Sequence, residues 1–425
     1  MTASLIPAVD RPYEDVDISS IAFWGQTPEV RDKVFAKLRA KGGVTWHPPV
    51  EAQPIPATSP GFWAITTHAG VVEVSKDPER FSSSGTSPSI YEASPEIVGA
   101  AAGFGGMDAP QHTRFRRLVS KAFSPKQLER ADRLIADRAR LAVDAVLEAG
   151  PGCDFVEVFS NYVPAQVITD MVGVDNPETR EFLVGAVTKI LVFGDPGVRP
   201  DGQNPIAFFA QMLFDLITAS QKVIDERRGK PGDDLVTALM EAEVDGERLT
   251  DDEIVNVLNL LFIAGIDTTR NTLTIALQTL TQFPDQRALL LEDLPGRIDP
   301  AVVEMVRWAS PVSSFVRRAT RNTEVNGVPI AEGDRVALWY LSANRDETVF
   351  ENPWKFDIFR DNSRQVAWGG GGPHYCLGSN LARQETKIAL TELLTRIPTI
   401  RSVGPETRAS SPMVNSVEHQ LCEWD

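Results

Sequence analysis

The sequence contains only three cysteines among its 425 residues, and none of its apolar runs is long enough to span a membrane. Cys153, Cys376 and Cys422 are far apart along the chain and form no CxxC pair, which argues against a disulfide framework and against structural zinc. Residues 1–17 are polar and acidic, and they lack the apolar run and the cleavage site of a signal peptide. We therefore expect a cytoplasmic protein without a membrane anchor.

Positive charge is scarce as well. The 42 Lys and Arg residues are outnumbered by 58 Asp and Glu residues, so the net charge at pH 7 is −16. A surface of this sign repels phosphate groups, which argues against nucleic acid as a partner. With 42% apolar and 24% charged residues, the composition is that of a globular protein.

Apolar periodicity predicts a mainly α protein with a smaller β portion, folded as one domain (1–425). Residues 1–60 are rich in proline and are expected to form an irregular N-terminal segment. Helical spacing of apolar residues dominates residues 110–284. The β portion is predicted after Pro311, with a hairpin at Asn326-Gly327.

One helix is predicted to be unusually long. Thr250 and Glu253 are spaced as in a capping box, and no helix-breaking residue follows before Pro284, so the helix would be about 50 Å long. Its middle is apolar on all sides and should be buried. This buried part contains Ala264–Thr269 (AGIDTT), which places a carboxylate and two hydroxyls among apolar residues. Taken alone, such a segment more often indicates a bent helix with satisfied hydroxyls than a functional site.

The most informative segment surrounds Cys376. Four consecutive glycines (369–372) exclude a regular helix or strand and let the backbone approach a flat ligand or a neighbouring chain closely. A helix predicted over 377–394 follows, and its amino-terminal end would stabilise a thiolate at Cys376. A thiolate is a known ligand of haem iron. The alternatives are a glycine-rich turn with a small buried cysteine, and a phosphate-binding loop, although the Lys and Ser/Thr of a P-loop are missing.

Six further segments have recognisable patterns, and they occur in this order: Asp108–Arg117, Ala264–Thr269, Glu304–Arg307, Arg317, Asn344–Asp346 and Pro353–Arg360. Singly most of them are weak signals, since Glu-x-x-Arg occurs by chance in many helices. Together with the cysteine loop, and in this order, they resemble the cytochrome P450 family of haem-thiolate monooxygenases over nearly the whole chain.

The resemblance implies the cytochrome P450 fold, with haem b (iron protoporphyrin IX) between the long oxygen-binding helix and the helix after the cysteine loop. Cys376 would be the iron ligand. Seven other residues are implied in haem binding, in part through charge pairing with its propionates: His112, Arg116, Arg317, His374, Ala264, Gly265 and Gly378. Glu304, Arg307 and Arg360 would form a structural charge network, which without the family context would be a commonplace helix-surface ion pair.

The implied activity is hydroxylation of a small apolar substrate with O2 and two electrons. Thr268 would hold a water or bound oxygen by its hydroxyl, and Asp267 would help to deliver protons. The chain has no flavin domain or iron–sulfur motif, so the electrons would come from an acidic ferredoxin and its NAD(P)H-dependent reductase. Residues 114–140 hold nine basic and three acidic residues, which would suit ferredoxin docking but is also typical of a solvated helix face.

The cysteine loop departs from the family pattern at one point. The family's aromatic residue stands seven positions before the cysteine, where this chain has Gly369, and Trp368 stands one position earlier. Members that act on sterol side chains and methyl-branched lipids share this longer loop. We therefore expect a terpenoid, steroid or branched-lipid substrate.

The predicted substrate pocket includes four residues: Ala264, Val312, Ser313 and Val414. Three other functions stay open at this point: a peroxygenase or desaturase variant, a haem-binding sensor or carrier without turnover, and a nucleotide-binding protein. We expect a monomer.

Overall fold

The computed structural model describes residues 11–51, 57–93, 102–122, 125–193, 195–200, 203–230 and 232–425. Helices dominate the chain and strands form a smaller part, as predicted. The helices are α1 Ile21–Trp24, α2 Pro28–Ala40, α3 His68–Lys76, α4 Gln111–Ala122, α5 Pro125–Ala149, α6 Tyr162–Val172, α7 Pro177–Leu191, α8 Pro205–Arg227, α9 Leu235–Glu241, α10 Asp251–Gln282, α11 Pro284–Glu292, α12 Leu294–Ala309, α13 Tyr340–Ala343 and α14 Ser379–Arg396. Within these ranges no helix is long and apolar enough to cross a membrane.

The strands are β1 Val44–His47, β2 Phe62–Ile65, β3 Phe81–Ser82, β4 Glu243–Val244, β5 Glu247–Arg248, β6 Ser314–Ala319, β7 Thr323–Val325, β8 Val328–Ile330, β9 Arg335–Trp339, β10 Arg401–Arg408 and β11 Val417–Glu423. One five-stranded sheet has the order β1-β2-β9-β6-β3, in which β2 and β9 run parallel and the other pairs antiparallel. The hairpin β7–β8 turns at Asn326 and Gly327, which both have positive φ, as the sequence predicted.

Helix α10 is the central element of the fold. Its capping box is present, since Thr250 Oγ1 accepts from the N–H of Glu253 and Glu253 Oε2 accepts from the N–H of Thr250. The helix supplies one hydrophobic core with Phe262 and another with Leu277. The segment between these two cores, around Ala264–Thr269, is therefore held at a fixed depth inside the protein.

The prediction of an irregular segment over residues 1–60 is wrong between positions 21 and 47, where α1, α2 and β1 lie. Pro28 is the first residue of α2. A proline at this position removes no hydrogen bond within the helix, because the first N–H groups have no acceptor there. All four residues of β1 are buried and pair with β2. Proline content was therefore a misleading signal here. The extent of the single domain stays a prediction.

Two cysteines that are remote in sequence lie side by side. Cys153 Sγ and Cys422 Sγ are 3.6 Å apart, and both cysteines are free thiols. The backbone joins them further, because the N–H of Cys422 donates to the carbonyl of Cys153 at 3.0 Å. Helix α5 and the C-terminal strand β11 are thus connected near their ends.

Candidate active site around Cys376

Cys376 lies in the loop that precedes helix α14. Its N–H donates to the carbonyl of Trp368 at 3.0 Å, which closes the loop. Gly372 has φ +76°, and a Cβ there would clash with the carbonyl oxygen of Ser75; a Cβ at Gly370 would lie 2.6 Å from Ser75 Oγ. The glycines are therefore needed because the loop packs tightly against the end of α3.

The position of the sulfur favours a bound cation. Burial raises the pKa of the Cys376 thiol, whereas the N–H groups of Gly378 and Ser379 and the charge of Arg116 act in the opposite direction. These N–H groups belong to the free amino-terminal end of α14, which stabilises negative charge. A metal ion at the sulfur would deprotonate the thiol outright.

A cavity separates the cysteine loop from α10. Ala264 is exposed to it although Ile263 and Ile266, on the same buried helix, are not exposed. Most of the cavity's other lining side chains near α10 are apolar: Phe104, Ile168, Leu260, Leu261, Val312 and Phe315. On the opposite wall a Cβ at Gly378 would meet no atom within 4 Å, so neither wall obstructs a flat ligand.

Basic side chains gather near the same cavity. The rings of His112 and His374 lie 4.2 Å apart, and Arg116 Nη2 donates to the carbonyl of Tyr375 at 2.7 Å. Arg317 is 7% exposed, and among the described residues no carboxylate lies within 4.0 Å of it. Burial, reinforced by the charge of Arg317, lowers the pKa of His374 to about 3. Buried positive charge without a counter-ion is suited to receive anionic groups.

These observations test whether haem fits. In the part of the chain that the structure describes, no group of three or more His, Cys, Asp or Glu residues could hold a metal ion. An iron at Cys376 would therefore need its other ligands from a cofactor, as a porphyrin provides. The thiol of Cys376 can bind the iron of haem b, and the unobstructed walls leave room for its ring. Arg116 and Arg317 can pair with its propionates.

Thr268 and Asp267 face in different directions. Thr268 lines the cavity, and its Oγ1 donates to the carbonyl of Ala264 at 2.7 Å. Asp267 does not line this cavity; it is fully buried and accepts hydrogen bonds from Arg270 at 2.6 Å and from Asn271 at 2.9 Å. Burial raises the pKa of Asp267, and Arg270 opposes this shift. Sequence reasoning placed Asp267 at the site but missed its partner Arg270.

Arg270 connects this buried carboxylate to the surface. Its Nη2 lies 3.2 Å from Glu418 Oε1, and the Glu418 side chain is 22% exposed. Ser416 also receives a hydrogen bond from Arg270, at 2.5 Å, and donates one to Glu418 at 2.7 Å. A continuous polar path therefore leads from Asp267 to solvent at strand β11.

The structure brings Glu304, Arg307 and Arg360 together. Arg307 donates to both carboxylate oxygens of Glu304, at 2.7 and 2.8 Å, and both residues are 0% exposed. Arg360 Nε reaches Glu304 Oε1 at 3.2 Å. Arg307 Nη1 also donates to the carbonyl of Asn344 at 2.7 Å, so the network joins α12 to the segments that precede the cysteine loop.

The four predicted substrate-pocket residues divide into two pairs. Ala264 and Val312 line the cavity, whereas Ser313 and Val414 are not among its lining residues. Ser313 directly follows Val312, and its Oγ is buried without a hydrogen-bond partner among the described residues. Val414 forms a β-bridge with Val312 and so supports it from behind.

Sequence reasoning missed Glu385, which lines the cavity from α14. The residue is 4% exposed, its Oε1 has no hydrogen-bond partner in the described structure, and burial raises its pKa to about 8. A carboxyl group on a helix carries no local signal of burial, which explains the omission. The folded protein should keep Glu385 protonated at neutral pH.

We expect Glu385→Gln to stabilise the protein at pH 8 relative to the parent. The folded state holds the Glu385 proton up to about pH 8, but the unfolded state releases it near 4.5, so stability is lost as pH rises between these values. The glutamine variant does not lose stability in this way. At pH 8 its free energy of unfolding should exceed that of the parent by roughly 2–5 kcal/mol. Urea unfolding of both haem-loaded proteins at pH 5, 6.5 and 8 measures it. A difference in the free energy of unfolding between the two proteins that does not grow with pH would contradict the burial of Glu385 as an uncharged acid.

Comparison with known proteins yields matches in sequence. A family model described as Cytochrome P450 matches residues 65–398, more than half of the chain. A methyl-branched lipid omega-hydroxylase of Mycobacterium tuberculosis is 36% identical over 423 residues, which cover 98% of this chain and 96% of the relative. A steroid C26-monooxygenase of Mycolicibacterium smegmatis is 37% identical over 368 residues, which cover 86% of this chain and 84% of the relative.

Solved structures are similar as well. A Mycobacterium marinum cytochrome P450 in complex with pseudoionone superposes with a TM-score of 0.92 at 39% identity, covering 98% of this chain and 100% of that chain. A Bacillus megaterium protein in complex with testosterone has a TM-score of 0.77 at 28% identity, covering 92% of this chain and 99% of that chain. The similarity therefore extends over the whole fold and includes the sequence.

Proposed function

Because the chain belongs to the cytochrome P450 family and is a haem-thiolate monooxygenase, we propose that it hydroxylates a terpenoid, a steroid or a methyl-branched lipid near the end of the hydrocarbon chain. The relatives support this class, since one is a methyl-branched lipid omega-hydroxylase and another a steroid C26-monooxygenase. The observation that carries the proposal is the apolar cavity between Cys376 and the exposed face of α10 at Ala264.

The lining of the cavity sets the polarity of the substrate. On the α10 side it consists of apolar side chains, among them Leu260, Leu261 and Phe315. The charged lining residues are Arg116 and Glu385, and both lie near the cysteine loop or on the helix after it. On the α10 side the described lining residues therefore present no fixed charge to a substrate, which favours a hydrocarbon body.

Haem bound at Cys376 supplies O2 activation and oxygen insertion, and the thiolate favours O–O cleavage. Arg116, Arg317 and His112, together with His374, would hold the propionates. The Thr268 hydroxyl, which donates to the carbonyl of Ala264, would accept a hydrogen bond from a water molecule in the cavity. Asp267 would supply protons toward Thr268 and exchange them with solvent near Glu418, while Arg270, which keeps its charge, holds the two carboxylates in place.

A matched substrate series tests the proposed class. The haem-loaded protein would be titrated with cholest-4-en-3-one, pseudoionone, a methyl-branched fatty alcohol and its straight-chain analogue, while the spin state of the iron is recorded. We expect a spin shift with the branched compounds and terminally hydroxylated products that require O2 and NAD(P)H. Equal response to the straight-chain analogue, or turnover that proceeds with hydrogen peroxide alone, would contradict the proposal.

The electron donor is proposed to be an acidic ferredoxin that docks at α4 and α5. The side chains of Lys121 and Lys126 lie outside the described residues. Of the seven other basic residues within 114–140, five are within 4.0 Å of a carboxylate: Arg114, Arg117, Arg133, Arg138 and Arg140. This pairing leaves less free positive charge than the sequence indicated. Arg116 is assigned to the haem, and half-buried Arg130, whose Nη1 is buried, is the remaining described candidate for the contact. The monomeric state and the cytoplasmic location stay predictions.

We expect Arg130→Glu to slow reduction by a ferredoxin about 3- to 10-fold at low salt, because the new carboxylate repels the acidic ferredoxin and slows association. The difference should disappear at high salt. Stopped-flow reduction in the presence of carbon monoxide measures the rate. Lys230→Glu, an equal charge change at an exposed loop residue outside α4 and α5, is the control. Equal rates for the two variants at low salt would contradict docking at Arg130.

A further inference from the structure

A second cavity, of about 610 Å³, shares no lining residue with the cavity at Cys376. Helix α2, the C-terminal part of α10 and the end of α12 enclose it, together with strand β10. Its volume lies within the range of small-molecule sites in proteins, about 300–1,000 Å³. The monooxygenase reaction described above uses none of the residues in its walls.

Two buried guanidinium groups face this second cavity, and neither forms an ion pair within 4.0 Å among the described residues. Arg31 is 5% exposed, and its Nη2 donates to the amide oxygen of Asn415 at 3.0 Å. Arg345 is 6% exposed and donates to the carbonyls of Arg307 and Trp308, while its Nε has no acceptor. Buried charges of one sign cost free energy unless an opposite charge approaches them.

The acidic residues of the second cavity form no direct ion pair with these two groups in the part of the chain that the structure describes. Glu406 pairs with Arg408, and Glu29 is exposed. Asp32 also lines the cavity, but in the described structure it forms no hydrogen bond and no ion pair within 4.0 Å. Burial raises the pKa of Asp32 to about 6, although Arg345 and Arg31 attract its charged form. Asp32 thus attracts both arginines through space but makes no direct ion pair with either of them.

Aromatic rings stand next to this charge. The guanidinium carbon of Arg345 lies 4.5 Å from the ring centroid of Trp308 and 5.3 Å from that of Trp354. Phe283 meets Trp308 edge to face at 5.3 Å. A ligand that fits here would place an anionic group at the arginines and a flat apolar body against the rings.

The second cavity is connected to the substrate pocket through Asn415. Its amide nitrogen donates to the carbonyl of Ala309 at 2.8 Å, and its N–H donates to the carbonyl of Pro311 at 2.9 Å. The preceding residue, Val414, supports Val312, which lines the haem cavity. A ligand that draws Arg31 away from Asn415 would therefore act on the wall of the substrate pocket.

We propose that the second cavity binds a small aromatic carboxylate, held by Arg31 and Arg345 and stacked against Trp308 and Trp354, as an effector of substrate binding. The site is separate from the haem and does not depend on which substrate is oxidised. Its ligand is defined by one negative charge and a flat ring system of one or two rings. The effect on the substrate follows from the contacts of Asn415.

Calorimetric titration of the haem-loaded protein with 2-naphthoate tests the site. An azole that ligates the iron is added first, so that the haem cavity is occupied. We expect one saturable site for 2-naphthoate and about 10- to 100-fold weaker binding of the neutral 2-naphthamide, as loss of charge-assisted hydrogen bonds predicts. Arg31→Gln should weaken 2-naphthoate by a similar factor.

A cavity-filling pair of variants separates binding from folding. Ala36 lines the cavity and is partly exposed on α2, so Ala36→Trp should block the site in a folded protein. Lys37→Trp adds the same ring one residue away, outside the lining, and should bind 2-naphthoate as the parent does. Absence of saturable binding in the parent, or unchanged binding in both Arg31→Gln and Ala36→Trp, would overturn the proposal.

Discussion

Glu304→Gln is expected to lower the free energy of unfolding by about 3–5 kcal/mol and to leave little haem-loaded protein. The variant keeps the shape of the side chain but removes the carboxylate that pairs with both Arg307 and Arg360. Arg307 is 0% exposed, so solvent cannot replace the lost partner. Urea unfolding and the ratio of haem absorbance to protein absorbance measure the two effects.

Glu292→Gln is the control for this loss. Glu292 pairs with Arg297 at 2.8 Å, but its side chain is 60% exposed, so the same chemical change should cost less than about 1 kcal/mol. Similar stabilities for Glu304→Gln and Glu292→Gln would show that the buried network does not support the fold. Any loss of haem in Glu304→Gln could then not be attributed to the hydrogen bond that joins Arg307 to Asn344.

Thr268→Ala is expected to uncouple electron consumption from product formation. The variant retains the apolar cavity but has no hydroxyl to hold water near the iron, so reducing equivalents should leave as hydrogen peroxide. We expect the yield of product per NAD(P)H to fall by about tenfold or more, which is the scale of a lost proton-transfer group. Parallel assays of NAD(P)H, product and peroxide measure the partition.

Thr272→Ala provides the matched control on the same helix. Thr272 Oγ1 donates to the carbonyl of Thr268 at 2.8 Å. Thr268 makes the same type of bond, to the carbonyl four residues earlier, but Thr272 does not line the haem cavity. Thr268→Ser should restore much of the coupling because it restores the hydroxyl. Equal losses in Thr268→Ala and Thr272→Ala would mean that the effect comes from the helix backbone and not from the cavity.

Features that depend on short spacings were predictable from the sequence. The capping box joins Thr250 and Glu253, three residues apart, and the hairpin depends on Asn326 and Gly327 alone. The glycines before Cys376 were interpreted correctly as a site of close backbone approach. Their neighbour, the end of α3 at Ser75, could not be identified because it lies about 300 residues earlier.

Contacts between distant segments were not predictable. Arg270 meets Glu418, and Arg31 meets Asn415, across 148 and 384 positions respectively. No local pattern specifies such partners. The direction of Asp267, by contrast, follows from helix geometry: the pairs 260–261, 264–265 and 268–269 form the stripe of α10 that lines the cavity, and Asp267 lies just outside that stripe.

The absorption spectrum of the reduced protein with carbon monoxide tests the central claim, that Cys376 binds haem iron through its thiolate. We expect a strongly red-shifted carbonyl Soret band in the parent protein, and its loss in Cys376→His with haem still bound. A carbonyl band at the position typical of imidazole-ligated haem in the parent, or the absence of haem from it, would mean that Cys376 is not a thiolate ligand of the iron.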